Sequence, residues 1–171
     1  DHELNVLSFR ARCVASARAP PYSTVLAGLA ALQGVRHGGQ TGQVGALLRE
    51  VQTPKQARMV ITDRLRRGEL IPRIGQRLYP DGDPRAKLLL TQLGKAYSGA
   101  PVLARTRSVV SQTQKIPGEH PTIDFALVGF ANMRQLPSGT ALTLFALGRT
   151  IGWIGHAVEQ YQTDRLIRPR A

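Results

Sequence analysis

Aromatic residues are scarce, at 5% of the 171-residue chain, and the bulk is Ala, Leu, Gly and Arg. Sheets draw on β-branched and aromatic side chains, so this balance favours helices. Cysteine occurs once, as Cys13, which excludes a disulfide within the chain. A reducing compartment fits that usage, and a cytoplasmic location is expected. Histidine occurs four times, as His2, His37, His120 and His156. No pair has the His-x-x-x-His spacing of a metal site and no cysteine cluster exists, so neither a metal nor a permanently bound cofactor is expected.

Negative charge is also short. There are 11 acidic against 23 basic residues, giving a net charge of +12 and a pI near 11.2. Such a surface attracts polyanions, whether nucleic acid, acidic lipid, or nucleotide and carboxylate ligands. A nucleic-acid reading rests on charge alone, because aromatic interleaving and any base-reading motif are missing. The N-terminus, DHELN, is polar and acidic, which argues against a signal peptide. The chain starts without Met and with helical spacing at once, so it reads as a piece of something longer. The longest apolar stretch, residues 141–158, contains Arg149, His156 and three glycines. A bilayer span tolerates such a charge poorly, so no membrane is expected, and the stretch reads as a buried helix of a soluble protein.

What is present is helical punctuation. Val6, Cys13, Val14 and Ala17 recur at helical spacing over residues 4–19, and Pro20-Pro21 ends the run. Tyr22, Val25, Leu26, Leu29 and Leu32 continue to about Gln33, and Gly34 breaks the pattern. A glycine-rich turn surrounds His37, and Val44, Leu47, Leu48 and Val51 mark a third helix. Thr53-Pro54 and Asp83-Pro84 are caps followed by proline at the first helical position. They predict helices to Arg67 and to about Tyr97, with a loop over 69–82 between them. Pro101 opens another helix, to about Gln114; 116–121 is a loop. Residues 124–136 are helical, with Phe125, Val128 and Leu136 on one side. Ser138 can cap a last helix reaching about Tyr161, before a basic tail. No strand is evident, so the fold class is all-α.

Three residues stand out chemically. His37 follows a helix and precedes Gly38-Gly39, where a ligand can come close to backbone. Asp124, between apolar neighbours at a helix start, is either a first-turn carboxylate facing the helix dipole or a general base in a partly dry site. Arg149, inside an apolar helix, needs an anion: a protein carboxylate or a carboxylate ligand, whose geometry its fork matches.

Six segments in colinear order then resemble the citrate synthase family, over nearly the whole chain. They are His2-Glu3-Leu4-Asn5, the segment around Val35-Arg36-His37-Gly38-Gly39, Asp83-Pro84-Arg85, Ile123-Asp124-Phe125, residues 145–154 around Gly148-Arg149-Thr150, and Arg168-Pro169-Arg170. The resemblance implies the C-terminal half of the helical citrate synthase-type fold. Residues 1–36 would end a large-domain portion, 37–135 would form the small substrate domain, and 136–171 would return to the large domain. Family members are more than twice as long, so these helices alone would expose apolar surface that the other half covers.

The resemblance also implies chemistry. Family members condense an acyl-CoA, usually acetyl-CoA, with a 2-oxo acid, usually oxaloacetate, and release CoA; the thioester is a co-substrate. Asp124 would take the proton from the thioester methyl group, and His37 would hydrogen-bond the thioester oxygen as the enol forms. His2, Arg85, Arg149 and Arg168 would hold the 2-oxo dicarboxylate, Arg168 reaching the neighbouring site of a homodimer. Leu70, Ile71, Pro72 and Gly75 match the loop that contacts coenzyme A through its backbone. One position departs. Arg73-Ile74-Gly75-Gln76 stands where the family reads Gly-Phe-Gly-His, so Gln76 replaces a catalytic histidine. An amide donates a hydrogen bond but delivers no proton. The sequence therefore leaves two readings: a condensing enzyme, slowed or retuned, and a silent scaffold that binds a carboxylate or CoA ester.

Overall fold

Proline and glycine set the ends of most elements in the computed structural model, which describes residues 4–34, 38–72, 74–75, 78–116 and 119–168. His2, His37 and Gln76 lie outside these described residues. Among the described residues the secondary structure is helical, apart from one isolated bridge between Ile74 and Pro121. The helices are α1 (Val6–Ser16), α2 (Pro21–Leu32), α3 (Gly39–Glu50), α4 (Ala57–Arg66), α5 (Pro84–Ala96), α6 (Pro101–Thr113), α7 (Ile123–Met133) and α8 (Thr140–Thr163). A 3-10 turn, Pro54–Gln56, leads into α4. Proline occupies the first position of α2, α5 and α6, where a missing N–H costs no hydrogen bond.

The chain divides into two compact units: Asp1–Gly39 with Thr143–Ala171, and Gln40–Leu142. In the second unit Val44, Leu47, Leu48 and Val51 are buried, and Val60, Ile61, Val109 and Phe125 join them in one apolar core. Helix α7 packs against both α5 and α6.

In the first unit the packed faces differ from those the apolar spacing predicts. Helix α1 buries Leu7, Ser8, Ala11 and Ala15, while Val6 is 55% exposed. Helix α2 buries Thr24, Gly28, Ala31 and Leu32, and leaves Tyr22 and Leu26 exposed. Apart from Leu7 and Leu32, the buried side chains of α1 and α2 are small, and Val6, Tyr22 and Leu26 sit on the outer faces. Gly28 is the extreme case: a Cβ there would lie 2.6 Å from the ring of Trp153, which is fully buried.

Helix α8 also corrects an expectation. Arg149 donates to Ser8 Oγ at 2.7 Å, and Tyr161 Oη to the Ala19 carbonyl at 2.6 Å, so α8 is tied to the first unit. Yet only Ala141, Trp153, Ala157 and Gln160 are buried. Leu147, Ile151, Ile154 and Val158 form an exposed stripe at spacings of four, three and four. The helix is not a buried one here, because within its unit only the α1 and α2 side covers it. By length and composition alone this 24-residue helix, with an 18-residue stretch of mean hydropathy 1.2, is long and apolar enough to cross a membrane. Its turn is also later than a Ser138 cap implies: Gly139 takes φ 91°, and the Thr140 N–H closes on the Pro137 carbonyl at 3.2 Å.

Candidate functional site

Two segments without helical period meet in the second unit. Gly75 donates its N–H to the His120 carbonyl at 2.7 Å, beside the Ile74–Pro121 bridge. Gly75 sits at φ 77°, a left-handed conformation that glycine adopts without strain. A Cβ there would also lie 2.8 Å from Glu119 Oε2 and displace the end of that side chain, but the backbone conformation is what favours glycine. The effect is to fasten the loop of residues 70–75 to the segment that leads into α7 and Asp124.

A cavity of about 290 Å³ opens along this junction. Leu70, Ile71, Pro72 and Gly75 line it, together with Glu119 and Thr122. Leu70 is 88% exposed at its edge, whereas Ile71 is 7% exposed and anchors the loop in the core. The four loop residues singled out from the sequence therefore share one cavity. Glu119 and Thr122 were not singled out; they lie in an aperiodic segment, and only the tertiary pairing brings them there.

Asp83 organises the adjoining corner. It caps α5, accepting from the Arg85 N–H at 3.0 Å. Its carboxylate also holds the Arg85 guanidinium at 2.9 Å through two nitrogens, and accepts from the Ile123 N–H at 3.0 Å. One carboxylate thus joins the start of α5 to the start of α7. Burial pushes the Asp83 carboxyl up, but the Arg85 side chain and the Ile123 N–H outweigh it and leave it below the usual range. The sequence marks Asp83 as a cap; its reach across 40 positions to Ile123 has no local signal.

Arg85 is held protonated by Asp83 above all, against the opposing effect of burial; Tyr79 and Asp124 add to that field. Its guanidinium lies over the Tyr79 ring at 5.4 Å, and its side chain is 46% exposed. Asp124 is 6% exposed, in the first turn of α7, where the helix dipole favours a carboxylate. A cation and a carboxylate are thus presented from one corner, and Asp124 lies two residues beyond Thr122 of the small cavity's lining.

The remaining sequence-predicted residues fall in the first unit. Arg149 is half-buried in α8 and bonded to Ser8. Arg168 is exposed beyond α8, one residue after Ile167, whose N–H donates to Ser16 Oγ at 3.1 Å. His2, His37 and Gln76 are outside the described residues. Among the described residues no group of three His, Cys, Asp or Glu side chains could hold a metal ion.

A cluster in the first unit was not foreseen. Arg12 donates through Nε to His156 Nδ1 at 3.0 Å and pairs with Glu159 through Nη2. Burial lowers the His156 pKa, and the neighbouring Arg12 cation lowers it further, with Glu159 opposing. The imidazole is held neutral, with Nδ1 as acceptor.

Known proteins bear on this arrangement. The sequence profile described as citrate synthase, C-terminal domain, matches residues 1–170. The chain is 34% identical to citrate synthase 2 of Bacillus subtilis, covering 100% of this chain and 47% of that protein. It is 30% identical to 2-methylcitrate synthase 1 of Corynebacterium glutamicum, over 99% of this chain and 45% of that one. Its structure superposes with TM-score 0.87 and 29% identity on citrate synthase from Thermoplasma acidophilum in a ternary complex with carboxymethyl coenzyme A and oxaloacetate, covering 100% of this chain and 48% of that one. The chain spans about half the length of these relatives. The profile match and the helical fold agree: this chain belongs to the citrate synthase family, in its C-terminal domain.

Proposed function

We propose that the protein condenses an acyl-CoA with oxaloacetate or a related 2-oxo acid and releases CoA. The observation that carries this reading is the corner joined by Asp83, which brings Arg85 to the start of α7 and Asp124, while Thr122 of the same helix start lines the cavity shared by Leu70, Ile71, Pro72 and Gly75. A carboxylate substrate needs a cation, an acidic methyl group needs a base, and a thioester needs backbone partners. These residues supply all three kinds of group.

In this reading Asp124 takes a proton from the carbon next to the thioester carbonyl. His37 donates a hydrogen bond to the oxygen on which charge builds, which stabilises the enol. The new carbon–carbon bond forms at the ketone carbon of the 2-oxo acid, and water then cleaves the thioester. Arg85 binds a substrate carboxylate, and sequence resemblance assigns the same task to His2, Arg149 and Arg168. Coenzyme A lies along the 70–75 loop as co-substrate. The relatives named as citrate and 2-methylcitrate synthases support a choice between acetyl and longer acyl groups. The exposed apolar stripe of α8 supports an assembly that covers it, which we assign to a homodimer. Arg168 would act there in the neighbouring site.

Gln76 favours a second reading. Without a histidine at that position the protein would bind a carboxylate or CoA ester and turn over slowly or not at all. The deciding experiment is a thiol-release assay on the full-length protein, with acetyl- and propionyl-CoA against several 2-oxo acids. The condensing enzyme predicts release well above an Asp124→Ala control. The scaffold predicts tight binding by calorimetry without release, and a gain of about 10²–10⁴ in rate on Gln76→His.

A further inference from the structure

A larger cavity, of about 590 Å³, lies elsewhere in the second unit. Both α5 and α6 pack on α7, and a groove is left between them. One wall carries Lys87, Leu90 and Lys95 from α5; the other carries Leu103, Arg107 and Val110 from α6. The lining is mostly apolar, and the three cations are among its residues. Among the described residues, no carboxylate pairs with Lys87, Lys95 or Arg107; the two carboxylates of the lining, Asp81 and Asp83, lie at its far end, and Asp83 is held by Arg85. Gly94 explains how one cation is placed. A Cβ at this position would collide with the Arg107 guanidinium, so the missing side chain lets Arg107 lie against α5 at the residue before Lys95.

We propose that this groove binds a small phosphorylated molecule with a flat apolar body. Arg107 and Lys95 receive the phosphate, Leu90, Leu103 and Val110 receive the body, and Lys87 adds charge toward the opposite end. One carboxylate would satisfy a single guanidinium fork, whereas a phosphate dianion engages two cations at once. The volume suits a ligand of aryl phosphate or nucleotide size. The far end of the groove includes Gly82, Asp83 and Pro121, so an occupant would touch the corner where Asp83 joins α5 to α7. The proposal does not rest on the condensation reading.

The test uses the full-length protein and three probes: 1-naphthyl phosphate, 1-naphthol and inorganic phosphate. Fluorescence titration should give 1-naphthyl phosphate at least about tenfold tighter binding than either fragment, a difference of one order in Kd. Affinity should fall about tenfold or more in Arg107→Glu and in Lys95→Glu. It should also fall in Gly94→Ala, which fills the notch and displaces the guanidinium while favouring the helix. Arg58→Glu, an exposed change of equal charge on α4, should leave it within twofold. Saturating coenzyme A should not displace the probe. Three results would overturn the assignment. They are equal binding of phosphate and naphthyl phosphate, an equal loss in Arg58→Glu, and displacement by coenzyme A.

Discussion

Asp83 does at one position what a cap and an ion pair usually do at two. It accepts from two backbone N–H groups and one guanidinium, and none of its side chain is exposed. An asparagine there keeps one acceptor oxygen and sets an NH₂ group against another donor. Asp83→Asn should therefore cost about 1–3 kcal/mol of stability, the usual penalty for a buried donor left unmatched. Chemical denaturation measures this; an unchanged midpoint would mean that Ile123 and Arg85 find other acceptors. His156 gives a second prediction at this scale. Its folded pKa lies below the ordinary 6.5, so the unfolded chain takes up the proton first as pH falls. Its contribution is complete above about pH 6.5 and is lost on acidification through the folded pKa. The urea midpoint should drop between pH 7.5 and 5, and His156→Gln, which keeps an acceptor for Arg12, should flatten that drop. Equal slopes in both proteins would assign the effect to other groups.

Among the helices, starts and stops were largely legible because proline, glycine and capping side chains act locally. Pro84 and Pro101 open α5 and α6 at the predicted residues. The inward faces of α1 and α2 were legible only in part: Leu32 is buried as its spacing predicts, but most buried residues there are small, and Val6, Tyr22 and Leu26 are exposed. Hydrophobic spacing finds bulk, not close approach. Gly28 tests the point. Gly28→Ala places a methyl group against the rigid, buried Trp153 ring and should destabilise by about 1–3 kcal/mol through overpacking. Gly42→Ala in α3, where a Cβ meets nothing within 4 Å, should instead stabilise by up to about 1 kcal/mol from helix propensity. Comparable shifts of the same sign at both positions would contradict the packing described for α2 and α8.

Across the whole chain, the motif order was legible and the site's assembly was not. Residues 70–75 and 119–124 carry no period that would pair them. Their meeting depends on one bridge, on Gly75 and on Asp83 reaching Ile123. The exposed stripe of α8 belongs to this scale too. Ile151 is 77% exposed, so Ile151→Glu should leave the helix content unchanged by circular dichroism. If the stripe is an interface in the assembled protein, the same change should shift sedimentation to a smaller species. An unchanged sedimentation profile would remove the stripe from the assembly.

The central claim is that Asp124 acts as a base on an acyl-CoA. Deuterium exchange into the methyl group of acetyl-CoA, in D₂O with L-malate in place of the 2-oxo acid, reads this step alone, because malate lacks the ketone carbon and an enol formed beside it can only be reprotonated from solvent. Label is expected in recovered acetyl-CoA with the full-length protein, and none above background with Asp124→Asn. Equal label with both proteins, or none with either, would contradict it.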